Sequence, residues 1–92
     1  MTTTLPTIHL NGTGAQNLEE EYRAVRQAVS AAADVLEKAT CNARDFYPQE
    51  PGAWDRARAE RAEAFRLLQL VSDYAEQWEM HAADAQRARA RT

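Results

Sequence analysis

No disulfide can close within this chain, because Cys41 is its only cysteine. Nor can it be expected to cross a bilayer, since no apolar run approaches the ~18 residues that a membrane-spanning helix needs. The opening Met1-Thr2-Thr3-Thr4-Leu5-Pro6 has neither the basic nor the apolar region of a secretion signal, which predicts a reducing, cytoplasmic setting. Catalytic groups are as scarce. His9 and His81 are the only histidines, and nothing sets a nucleophile beside a base at a recognisable spacing. A Ser-His-Asp set drawn from Ser30, His81 and an aspartate is a combination that any chain of this size offers by chance. His9, Cys41 and His81 contain no close-spaced ligand pair, so neither a metal nor a cofactor is expected, and the sequence does not read as an enzyme. A net charge of −3 makes duplex DNA or RNA a poor partner. Lysine is nearly missing: ten of the eleven cations are arginine and only Lys38 is not. The planar guanidinium fork suits phosphate, carboxylate and aromatic partners, although a GC-rich genome produces the same bias.

What the chain has in quantity is helical periodicity. Ninety-two residues make one domain, 1–92, whose core is marginal unless something reinforces it. Residues 1–6 have no pattern. Thr7-Ile8-His9-Leu10 alternates polar and apolar and runs into Asn11-Gly12-Thr13-Gly14, so 7–14 reads as a short extended strand and a turn in which the glycines and Asn11 permit positive φ. A lone strand cannot satisfy its backbone, and two partners fit: the same strand of another subunit, or the flank of the helices. Asn17 is placed to cap a first helix over 17–41, with Glu20 as the acidic member of a capping box and Glu19, Glu20 and Glu21 at the positive end of the helix dipole. Leu18, Tyr22, Val25, Val29, Ala32, Leu36 and Ala39 follow steps of four and three, a continuous seam widened by Val35 and several alanines. Pro48, Pro51 and Gly52 break the pattern in a loop over 42–52. A second helix follows over 53–88, its seam carried by Ala57, Ala64, Leu68, Val71, Ala75, Trp78, Ala82 and Ala85. The second helix outruns the first, and the surplus bearing Trp78, Met80 and His81 needs cover from the N-terminal segment or another chain. The expected fold is mainly α: an antiparallel helical hairpin with a short N-terminal strand, pairing with copies of itself into an oligomeric helix bundle, because two helices alone enclose almost no interior.

Two motifs invite a functional reading. The Gly-rich turn before the first helix serves either as a plain reversal or as an anion-binding concavity, though three nearby glutamates disfavour an anion. The loop Cys41-Asn42-Ala43-Arg44-Asp45-Phe46-Tyr47-Pro48-Gln49-Glu50-Pro51 has two accounts as well. In one, Phe46 and Tyr47 cap the open end of the seam while Arg44 and Asp45 pair with each other or with the second helix. In the other, Arg44 takes a phosphate, Phe46 and Tyr47 stack on a base or wall a pocket, and Asp45 takes a ribose hydroxyl, as nucleotide recognition requires.

Thr7-Ile8-His9-Leu10-Asn11-Gly12-Thr13 and Asn42-Ala43-Arg44-Asp45-Phe46-Tyr47-Pro48-Gln49 together resemble a group of small phage and prophage proteins. Those chains read TIHLNGT-like at the start, then helix, NGRDYYPQ-like loop and helix. The likeness covers residues 7 to about 85. Ala43 stands where the group tends to have glycine, and Phe46 where it tends to have tyrosine. In size and build the chain also looks like phage anti-defence sponges, small oligomeric helical proteins that sequester nucleotide immune signals. That resemblance implies a non-catalytic homo-oligomer in the cytoplasm of an infected bacterial host. It would hold a cyclic-nucleotide or ADP-ribose type ligand through Arg44, Asp45, Phe46 and Tyr47, with His9, Asn11 and Thr13 from a neighbouring chain. The alternative is a protein-binding inhibitor or adaptor that meets a host protein through its helical surface.

Overall fold

A computed structural model of the chain describes residues 2–9 and 12–90. Helix α1 (Ala15–Lys38) and helix α2 (Ala53–Ala90) pack as an antiparallel hairpin, with one 3-10 turn at Ala43–Phe46 in the connection. The result is a rod of 66 × 24 × 20 Å.

Helix α1 starts two residues before the expected cap. Gly14 precedes it in extended conformation, no side chain caps the free amides, and the first turn contains no acid. Gln16 Nε2 donates to Glu20 Oε1 at 3.1 Å, so Glu20 engages its own helix rather than a capping box. The physical reason is burial: Ala15, a strong helix former, is 4% exposed, and packing outweighs a cap contribution of ~1 kcal/mol. At the other end α1 stops at Lys38 rather than at 41. The Arg61 guanidinium donates to the carbonyls of Leu36, Glu37 and Ala39, the last two at 3.2 and 3.0 Å. A cation from α2 thereby satisfies the orphan acceptors and faces the negative end of the α1 dipole.

Among the described residues positive φ occurs at Gly52 alone, φ 93°, and not at the glycines before α1. The Ala53 amide donates to the Glu50 carbonyl at 3.2 Å, which makes Glu50-Pro51-Gly52-Ala53 a tight turn with proline second and a positive-φ glycine third. That turn launches α2.

The buried interior is small. Ala15, Ala53, Ala75 and Ala82 form it together with one charged residue, Glu79, and no large side chain is fully buried among the described residues. The seam expected on α2 holds at Ala75 and Ala82, both 0% exposed, while Leu68, Trp78 and Ala85 are half-buried and Val71 is exposed. On α1 the inward line passes through Tyr22, Arg26, Val29 and Ala33, which leaves Val25, Ala32, Val35 and Ala39 exposed. A seam read from apolar residues alone had no way to admit an arginine.

No strand forms among the described residues, since the chain supplies no second strand for a ladder. Thr7-Ile8-His9 instead lies along the end of α2, where His81 Nε2–H donates to the Pro6 carbonyl at 2.7 Å and Ile8 and His9 adjoin Ala85 and Ala88. Leu10 lies outside the described residues. The extra length of α2 lies at its N-terminal end and not at the C-terminal end expected from the sequence, because Trp78 stacks on Tyr22 and Gln86 meets Glu19, which sets the last turn of α2 level with the first turn of α1. The last turn of α1 stands level with Arg61, so residues 53–60 project beyond α1 under the connecting loop, where Phe46 rests on Trp54 with ring centroids 5.7 Å apart.

Candidate functional site

The loop residues occupy the end of the rod where the connection crosses from α1 to α2. The Asp45 amide donates to the Asn42 carbonyl at 3.1 Å and the Gln49 amide to the Phe46 carbonyl at 3.0 Å, so the backbone coils tightly around Phe46. Phe46 is the half-buried anchor of this coil against Trp54, and the Arg58 guanidinium covers the other ring of the pair at 5.7 Å from the Trp54 centroid. Tyr47 does not cap the seam: it is 76% exposed. Arg44 and Asp45 are exposed and pair neither with each other nor with α2. Of the described arginines, Arg44 alone makes no side-chain hydrogen bond, ion pair or ring contact.

His9 and Thr13 sit at the opposite end. Helix α1 separates them from the loop by 24 residues, or ~36 Å at 1.5 Å per residue. The two motifs therefore cannot share a ligand within one chain. Asn11, the third member of that set, lies outside the described residues. The Gly12 amide donates to the His9 carbonyl at 3.1 Å, and a β-carbon on Gly12 would come within 2.9 Å of His9 Nε2, so glycine is what lets the His9 ring lie against residue 12.

Sequence reasoning missed a second cluster. Glu79 is buried between the helices, where Arg26 Nη1 donates to its Oε1 at 2.5 Å and Arg23 Nε to its Oε2 at 3.4 Å. The hydrogen bond to Glu79 keeps Arg26 charged and pushes its pKa further up. Arg23 also holds Glu19 at 2.5 Å, and the other Glu19 oxygen accepts from Gln86. Arg23, Arg26, Gln27, Ser30, Ser72 and Glu79 line an open cleft of about 400 Å³. Its two cations face one buried acid and a second acid on the rim, so the cluster is internally neutralised and zips the helices together. A signal was present: Glu79 is four residues after Ala75 and three before Ala82, and Arg26 is four after Tyr22 and three before Val29, both at seam spacing.

The opposite flank carries aromatic and aliphatic groups. Tyr22 stacks on Trp78 at 4.8 Å between centroids and meets Tyr74 edge-on at 6.4 Å. Burial of the Tyr22 phenol, with smaller contributions from Tyr74 and Glu21, raises its pKa above the ordinary value. Among the described residues no group of three or more His, Cys, Asp or Glu side chains is placed to hold a metal ion, and no helix is long and apolar enough to cross a membrane. No protein-family model, curated protein or solved structure matches this chain.

Proposed function

We propose that this protein binds and sequesters a phosphorylated nucleotide signal, of the cyclic-nucleotide or ADP-ribose type, without transforming it, as a phage anti-defence sponge assembled from several copies in the host cytoplasm. The observation that carries the reading is the contrast between Arg44 and the other described arginines, each of which has a partner. An unpaired guanidinium on a loop pinned by Phe46 against Trp54 is free to take both oxygens of a phosphate, with Asp45 and the exposed Tyr47 ring beside it for a ribose hydroxyl and a base. His9, Asn11 and Thr13 would reach the ligand from a neighbouring copy. Sequestration needs no acid, base or nucleophile, which suits so thin a catalytic inventory.

A second reading, an inhibitor or adaptor that grips a host protein, draws on the exposed aliphatic groups of α2, Leu67 and Val71. Incubation with a panel of nucleotide signals followed by heating separates the two. A sponge depletes one member of the panel and returns it intact, an enzyme returns it altered, and an inhibitor depletes none. Under the sponge reading Arg44→Ala weakens binding by ~10-fold or more and leaves the helical circular dichroism unchanged. Unchanged affinity would remove Arg44 from the site.

A further inference from the structure

The hairpin exposes far more surface than a compact chain of its mass. A folded monomer of 10.3 kDa is expected to present ~5,400 Å². This one presents 6869 Å², an excess of ~1,500 Å². Obligate homodimers bury on the order of 1,000–2,500 Å² per subunit, so the excess is the size of one such interface.

Half of the exposed large apolar and aromatic side chains among the described residues, Val25, Leu67, Val71 and Tyr74, share one face. Steps of four and three place Leu67, Val71, Tyr74 and Trp78 on a single stripe of α2, bordered by Val25 of α1; beyond Trp78 the chain's own N-terminal segment covers the stripe, Pro6 at His81 and Ile8 and His9 at Ala85. Leu67, Val71, Tyr74 and Val25 are 49, 46, 37 and 37% exposed, high for aliphatic and aromatic groups beside a core. The buried indole Nε1 of Trp78 finds no acceptor among the described residues. On the opposite flank Arg23, Arg26 and Glu79 neutralise one another, and the apolar groups next to them, Val29, Ala33, Phe65 and Leu68, are half-buried rather than exposed.

We infer that this stripe pairs with the same stripe of a second copy, antiparallel, about a two-fold axis passing near Val71. The choice of occupant follows from symmetry. Helix α2 runs from 53 to 90, so its midpoint falls between Val71 and Ser72, and a two-fold axis there lays the stretch 67–76 onto itself. The same operation brings the level of Ala85 and Ala88, where His9 lies, opposite the level of Trp54 and Arg58, where Phe46 is anchored. The N-terminal motif of one copy and the loop of the other then share an end of the bundle, two such ends per dimer. This last consequence rests on the proposed ligand reading; the pairing does not.

The test measures mass by light scattering and geometry by cross-linking, with Cys41→Ser as background. The wild-type chain is expected at twice 10.3 kDa and Val71→Glu at 10.3 kDa with its helicity kept. Val71→Cys is expected to form a disulfide between copies, whereas Leu67→Cys, whose level falls opposite residue 76, ~13 Å away, is not. A wild-type monomer, or an assembly in which Val71→Cys stays unlinked, would overturn the pairing. Cross-linking at both positions would overturn its antiparallel sense. If a monomer still takes a nucleotide through Arg44, the pairing falls together with the part given to His9, Asn11 and Thr13 of a neighbouring copy, and nucleotide capture by the loop stands. If a cross-linked dimer depletes nothing from the panel, the sponge reading falls and the pairing stands.

Discussion

The two flanks of the hairpin solve the same problem by different means. On one, Glu79 leaves the solvent and is met by Arg26 and Arg23 across the helix interface, so the two helices are bridged by ions within a single chain. On the other, Leu67, Val71 and Tyr74 are left half in water beside the Tyr22 and Trp78 stack. An ion pair completes itself wherever two side chains reach each other, but an apolar surface is satisfied only by more apolar surface, and two helices have run out of it. The difference teaches which flank the chain completes by itself and which it leaves in contact with solvent.

Substitutions sort by which side of this contrast they strike. The largest effect falls on the line between the flanks. Ala75→Asp would bury an unpaired carboxylate at a position with no exposure, cost ~3 kcal/mol or more, and abolish a cooperative thermal melt. Glu79→Ala breaks the ionic flank by leaving the Arg26 and Arg23 guanidinium groups without their shared partner, and a melt lowered by several degrees is the expected readout. An unchanged melt would mean that the ionic flank holds nothing together.

The aromatic side is sharpened by pH. Burial raises the Tyr22 pKa in the folded chain, so the folded state resists ionisation that the unfolded state accepts. Stability from this source is complete below the unfolded tyrosine value near 10 and is lost as pH climbs through the folded value. Tyrosinate absorbance and helicity followed together above that pH should therefore show Tyr22 ionising with the loss of structure, and Tyr22→Phe should flatten this decline. The smallest effect belongs to a residue on neither flank. Val35, 70% exposed on the back of α1, should tolerate Val35→Thr within ~0.5 kcal/mol, and a larger loss would place it in an interface that the stripe on α2 does not account for.

Which parts of this were legible beforehand follows from what each rests on. The two helices and the break between them came from spacing and from Pro48, Pro51 and Gly52, all local. The start of α1 was misplaced because Asn17 offered a good cap while Ala15 offered burial, which no local rule weighs. The alternation over 7–10 left two partners open, and for the described residues 7–9 the structure has the second of them, the flank of the helices at the end of α2, and no strand. At the loop, residue types suggested nucleotide chemistry, yet only coordinates separate Phe46, fixed on Trp54, from Tyr47, standing free. Arg26 and Glu79 were passed over because a charge at a seam position looks like an interruption until its opposite is found on the other helix.

The sequence alone determined that this chain forms two helices of unequal length with a break between them, since periodicity, proline and glycine act over a few residues at a time. Only the tertiary structure decided which charges face inward, which end of α2 lies beneath the loop and which flank remains uncovered. Those outcomes depend on the axial register and rotation of one helix against the other, and register is a property of a pair that neither helix carries by itself.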